Sequence, residues 1–422
     1  MLVSLLGGGN LPSWARGATL FWGPKGGRFQ SIRGPEIPAV SRASQASYFD
    51  ADGLLRLAAS NELRSDHDPL TGAFLGALFE RQSTNLQWHS DQLNNTNAWN
   101  PSALDVTPNT VTDPAGTNLA ETLESAGAAA GILVSRIATV VQNSTYSLSC
   151  FGKPGLTNFL QITGGSAAFG TGQHTNFDLN NGTLTAFGGV GNIRALVNGW
   201  FRCNHRVVAS AGTNGVMAPA LSTGLAAARL PAITPPAGVH AFGGQMELGG
   251  VSSYIPTGAA AATRQQDVMS LSDMDWFDPS AGVILAEVGA YPGSLTGQAR
   301  QIIALGSGND RIILRAADTG PGYPHAYVGN GTSLSGPTNA GTTTVSAREY
   351  VALSFSTAGG SYLHRRIGDG AAASSANIGN FSGTTPASMS IGSNLDGHLR
   401  NLAFLPGLYT PSEVRALLDS MP

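Results

Sequence analysis

Thr145-Tyr-Ser-Leu-Ser-Cys-Phe151 alternates large apolar with small polar side chains, and Phe201-Arg-Cys-Asn-His-Arg-Val-Val-Ala209 follows much the same rhythm. Period-two alternation sends successive side chains to opposite faces of an extended chain, so each stretch reads as a β-strand with one face buried. Phe159 to Thr163 and Ala195 to Val197 share the composition, and Asn180-Asn-Gly182 and Asn198-Gly199 between them are the chemistry of tight hairpins. Short strands without repeated helices predict a sandwich or jelly roll. Cys150 and Cys203 fall on the apolar side of their strands and read as buried thiols; two cysteines are too few for a disulfide framework.

Outward from these strands the composition agrees. Of 422 residues, 55 are Gly and 23 Pro, and only 12% are charged, with a net charge of −3. A nucleic-acid binder needs a basic stripe, which this balance does not supply. Hydrophobic content of 42% is enough to bury a core, which argues against disorder. No run approaches the roughly 20 apolar residues of a membrane span. Met1-Leu-Val-Ser-Leu-Leu-Gly-Gly-Gly lacks a basic start, so the expectation is a chain made soluble, with no export signal of its own and no membrane insertion. No internal repeat with a period of about 20 to 50 residues is evident, which argues against a solenoid or propeller.

Five segments follow. Residues 1–40 are Gly- and Pro-rich and set Trp14, Phe21, Trp22 and Phe29 among glycines, which predicts a docking arm that orders on a partner, with those four aromatics as its anchors. Residues 41–85 read as a lead-in of short strands and turns, and residues 86–264 as the jelly roll. Residues 265–282 read as a connector. Residues 283–422 carry further strand candidates and end in Thr410-Pro-Ser-Glu413, a capping box with Pro in the first turn, before Val414, Leu417, Leu418 and Met421 on one helical face. The predicted class is all-β: an arm, a jelly-roll sandwich, then a second sandwich with a short terminal helix.

Catalytic patterns are missing from the sequence. It holds no Gly-x-Ser-x-Gly elbow, no phosphate-binding glycine loop and no His-Glu-x-x-His, and the eight histidines are scattered. Glycoside hydrolysis needs two carboxylates across the sugar, yet Glu287, Asp310, Asp318, Glu349, Asp369 and Asp396 stand far apart in the chain. Asp50-Ala-Asp-Gly53 and Asp66-His-Asp-Pro69 resemble calcium loops but lack EF-hand spacing; Asp-stabilised turns fit them better, with a structural calcium as the alternative and no other cofactor expected. A sugar site combines an aromatic platform with amide and acid partners. Tyr323, His325, Tyr327 and Asn330 offer that combination, and His174 with Asn176 form a second candidate. Packed tyrosines in a hairpin are the plainer reading of the first set.

Arg42-Ala-Ser, Tyr48-Phe-Asp-Ala-Asp-Gly-Leu54, Arg64-Ser-Asp-His-Asp-Pro69, Glu80 and Thr84-Asn-Leu86 resemble the lead-in of bacteriophage head-spike and tail-fibre proteins. Trp88-His-Ser-Asp-Gln-Leu-Asn-Asn, Ala98-Trp99, Asp113-Pro-Ala-Gly-Thr117, Ala120-Glu-Thr-Leu123, Asn198-Gly-Trp-Phe-Arg202, Gly244-Gln-Met-Glu-Leu248 and Ser253-Tyr-Ile-Pro-Thr257 continue the likeness through a jelly roll similar to carbohydrate-binding modules. Leu395-Asp-Gly-His-Leu399, Leu402-Ala-Phe404 and Leu408-Tyr-Thr-Pro-Ser-Glu413 look like the closing strand and helix of a laminin-G or concanavalin-type sandwich. The resemblance, which extends to gene-transfer-agent head spikes, implies a non-enzymatic virion adhesin made in the bacterial cytoplasm. Its partners would be a host surface polysaccharide, capsid or tail proteins through the arm, and further copies of itself, with a trimer as the expected assembly. A capsule depolymerase and a purely structural decoration protein are the rival expectations.

Overall fold

Strand Thr145–Pro154 runs through the middle of a six-stranded antiparallel sheet, between Gly238–Leu248 and Phe201–Val208. The computed structural model describes residues 11–290, 300–317, 324–338 and 348–422. The alternation read from the sequence is used on both faces: Tyr146, Leu148 and Cys150 enter the core between the two sheets, while Phe151 packs on the outside against Phe49, Trp200, Phe242 and Tyr254. Cys150 and Cys203 are direct register partners, both buried and both free thiols. The facing sheet is ordered Thr183–Phe187, His174–Asp178, Phe159–Gly164, Met217–Leu221, Ile132–Ser135, Trp99–Ser102, again antiparallel. Asn180-Asn-Gly182 does connect two adjacent strands, with Gly182 at φ 65°. The all-β expectation holds, and the jelly roll is a two-sheet sandwich.

The second sandwich draws on more of the chain than residues 283–422. Among the described residues its larger sheet has nine strands, with the order Arg28–Arg33, Leu20–Lys25, Gly397–Pro406, Ala281–Ala290, Glu349–Ser356, Tyr362–Ile367, Ala373–Ser374, and with Phe74–Phe79 and Ser65–His67 paired beside residues 397–399. Its seven-stranded partner includes Val40–Ser41 and Val268–Leu271.

This corrects two expectations. Residues 265–282 do not merely connect: they supply a strand, and Trp276 and Phe277 fill the core against Phe404. Nor are residues 11–40 an unattached arm. Trp14 (3% exposed), Phe21 (3%), Trp22 (0%) and Phe29 (4%) are all buried inside the protein, so none is free to anchor a partner. The physical reason is strand alternation. Leu20–Lys25 pairs with the closing strand through Leu20↔Phe404, Phe21↔Ala403 and Trp22↔Leu402. Trp22 and Phe29 therefore enter the inter-sheet core, while Phe21 joins Trp14, Val283, Leu285, Val414 and Leu418 on the opposite face. Gly26 and Gly27, at φ 58° and 72°, supply the positive-φ pair of a tight hairpin turn.

The terminal helix Pro411–Asp419 covers that opposite face. It has the predicted capping box: the Thr410 hydroxyl accepts from the Glu413 amide, and Glu413 accepts from the Thr410 amide at 2.7 Å. Thr410→Ala is expected to cost about 1 kcal/mol, seen as a lower urea midpoint with unchanged circular dichroism.

The lead-in ties the two sandwiches together. Ala46–Phe49 and Leu55–Ala58 form a hairpin on the jelly roll's outer face, and Ser83–Asn85 pairs with Ala262–Arg264. At the junction, Arg64 is fully buried and donates to Glu80 Oε2 at 2.6 Å, Asp267 Oδ2 at 2.5 Å, Ser47 O at 2.9 Å and Ser253 Oγ at 3.1 Å. Arg42 donates to Asp267 Oδ1 at 2.7 Å, and Arg264 lies 3.5 Å from Glu80 Oε2. Burial alone would raise the Glu80 carboxyl, but Arg264, Arg64 and the Ser253 donors outweigh it and hold it at about 2.

Candidate functional site

The turn Asp50-Ala-Asp-Gly53 sets the site. Asp50 Oδ1 accepts from the amides of Asp52 (3.0 Å) and Leu54 (2.9 Å), and its Oδ2 accepts from Arg56 Nε (2.6 Å), while Gly53 takes φ 75°. This fixes the hairpin so that Phe49 and Leu55 face the jelly roll and leaves Tyr48, opposite Arg56 in register, half-buried. Tyr48 forms one wall of a half-open cleft of about 330 Å³. The other wall is the turn Gly26-Gly27-Arg28 of the N-terminal hairpin, with Asp52, Glu62, Ser65 and His67 between them.

His67 is 6% exposed and lies edge-on to Phe74. Its Nδ1 is 3.2 Å from the Phe49 carbonyl, which can only accept, so Nδ1 is the donor in that bond. Nε2 has no partner among the described residues and faces Gly27, where a Cβ would stand 3.6 Å away. Burial raises the Tyr48 phenol, and Glu62 and Asp50 add to it, so the hydroxyl stays neutral and can both donate and accept. Burial would raise Asp50 as well, but the Leu54 amide and Arg56 hold it below the usual carboxylate range. The cleft thus joins an aromatic side chain to acid, hydroxyl, imidazole and guanidinium groups, the combination that a sugar's two faces require.

The residues singled out from the sequence are placed elsewhere. Asn176 is 0% exposed: it donates to the carbonyls of Leu225 (3.1 Å) and Ala227 (2.7 Å) and accepts from Gln161 (2.7 Å) and Ser222 (3.1 Å). His174 stacks on Phe187 at 4.5 Å, with its ring nitrogens on Gly172 O and Ala227 O. Both side chains pin the covering loop to the sheet, which corrects their assignment to a glycan. His325 is buried, Tyr327 is half-buried with the Arg315 guanidinium 5.1 Å over its ring, and Asn330 Oδ1 accepts from Thr332 and Ser333 in a turn. Tyr323 lies outside the described residues. The Asp-rich loops act as turns and fold ties: Asp66 accepts from the Phe49 amide (2.7 Å) and faces His398 Nε2 (2.7 Å), and Asp68 accepts from the amides of Leu70 and Thr71. Among the described residues no three His, Cys, Asp or Glu side chains are grouped to hold a metal, and no helix is long and apolar enough to cross a membrane.

The motif Tyr48-Phe-Asp-Ala-Asp-Gly is local in the sequence, but the cleft it borders is not. Its far wall comes from the segment read as an arm. No protein-family profile matches this chain, and no curated protein is similar enough in sequence to count as a relative.

Proposed function

We propose that the protein is a virion fibre or head-spike subunit that binds a host cell-surface polysaccharide without cleaving it. The Tyr48 cleft carries this reading: an aromatic side chain for the sugar's C–H surface shares the lining with Asp52, Glu62, Ser65 and Arg28 for its hydroxyls. The cleft's core residues also lie within the stretch that resembles phage spike and fibre lead-ins. Single-sugar contacts of this size are weak, and many copies on one particle raise them by avidity. Because the N-terminal aromatics are buried, attachment to the particle falls to other surfaces.

Tyr48→Ala is expected to weaken binding of the isolated protein to host cells or arrayed capsular glycans by roughly tenfold, the scale of one aromatic contact. The thermal midpoint should hardly move. Undiminished glycan binding by this variant would overturn the assignment of the cleft. Shortened chains released from host polysaccharide would instead favour the depolymerase, and absence of any cell or glycan preference the decoration protein.

A further inference from the structure

We propose that Asp91 and Glu121, at one edge of the jelly roll, hold a hard divalent cation together with neighbouring amide oxygens. Glu121 lies on strand Ala120–Ser125, opposite Ala241, and is 1% exposed. Its Oε1 accepts from the Leu93 amide at 2.9 Å, while Oε2 has no partner among the described residues. Glu121 also lines a half-open pocket of about 300 Å³ whose other polar residues are Asp91, Gln92, Asn94, Asn95 and Asn109, with no basic side chain. A carboxylate oxygen taken out of water without a donor or a cation is costly. Oxygen-rich linings of this kind suit hard cations, and a shell built from amides on irregular loops tolerates the larger, less regular sphere of Ca²⁺ better than that of Mg²⁺.

Successive turns hold the loop in place, with the Gln92 amide on His89 O at 3.0 Å and the Asn95 amide on Gln92 O at 2.9 Å. Two carboxylates make a partial set, so amide oxygens and water complete the coordination.

The test is calorimetric and thermal titration of the chelator-treated full chain with CaCl₂, and separately with MgCl₂. The expected result is one Ca²⁺ per chain and a midpoint raised by several degrees. Glu121→Gln should weaken binding at least about tenfold. Asp91→Asn, at a less buried position, should weaken binding while leaving the fold intact, which keeps the test available if Glu121→Gln does not fold. No heat and no midpoint shift at about 10 mM of either ion, above the weakest calcium sites at ~10⁻³ M, would overturn the proposal. So would unchanged binding in the Asp91→Asn protein. Glycan binding at Tyr48 is a separate readout and can fail or succeed independently.

Discussion

Asp267→Ala is expected to cost about 3–5 kcal/mol of folding free energy, the scale for removing one partner of a buried ion pair. The carboxylate accepts from Arg42 (2.7 Å), Arg64 (2.5 Å) and the Glu80 amide (2.8 Å), and Arg264 stands 4.0 Å away. Without it Arg64 and Arg264 are left with Glu80 alone, and Arg42 keeps only the carbonyls of Ser44, Ala59 and Glu62. The penalty comes from charge left in a dry site rather than from a cavity, so Asp267→Asn, which keeps the shape, should lose most of the same stability. Urea denaturation followed by tryptophan fluorescence reads this directly. Trp99 and Trp200 report on the jelly roll, and Trp14, Trp22 and Trp276 on the second sandwich. The midpoint should fall and the transition broaden or split, because the network is shared between the two sandwiches. A variant with the wild-type midpoint would show that the junction holds nothing together. Acid has the same target: stability from Glu80 is present above its ordinary 4.5 and is lost as pH falls through about 2.

Trp22→Ala is expected to cost about 3–5 kcal/mol, the range for truncating a large buried aromatic. Trp22 is fully buried in the inter-sheet core, and its Nε1 donates to Pro35 O at 2.8 Å, so the change leaves a cavity and removes one of that carbonyl's two donors, the Ser31 hydroxyl at 3.0 Å remaining. The loss should appear in the second sandwich and spare the jelly roll. Deleting residues through Arg33 should go further, since it strips Leu20–Lys25 from Gly397–Pro406 and exposes the pairing edge. If the segment were a dispensable docking arm, neither change would move the midpoint.

The jelly roll was legible because its central strands keep period-two alternation and its hairpins use Asn-Gly chemistry. The terminal helix was legible because Thr410 and Glu413 announce a cap. The N-terminal hairpin was not, because Phe21 and Trp22 are both buried, on opposite faces of one strand, and no polar alternation survives to mark it. Val268–Leu271 was hidden for a related reason: it is four residues long and paired on both sides. The candidate sites failed on the same ground. Tyr48 and His67 were visible, but nothing local ties them to Gly27, and Asp91 meets Glu121 only once the strands are assembled. Asn176 had the right chemistry for a sugar, but its donors and acceptors are already used by its own loop.

The pairing of Leu20 with Phe404 makes the jelly roll an insertion within a sandwich whose first and last strands are neighbours. On a ribosome the early hairpin must wait for Gly397–Pro406 before its partner emerges, while the inserted sheets can complete themselves in the meantime. Once they do, Ser83–Asn85 and Ala262–Arg264 close side by side, and the long intervening chain no longer counts as open loop. The inserted domain then serves as an internal staple that lowers the entropic barrier to closing the sandwich around it.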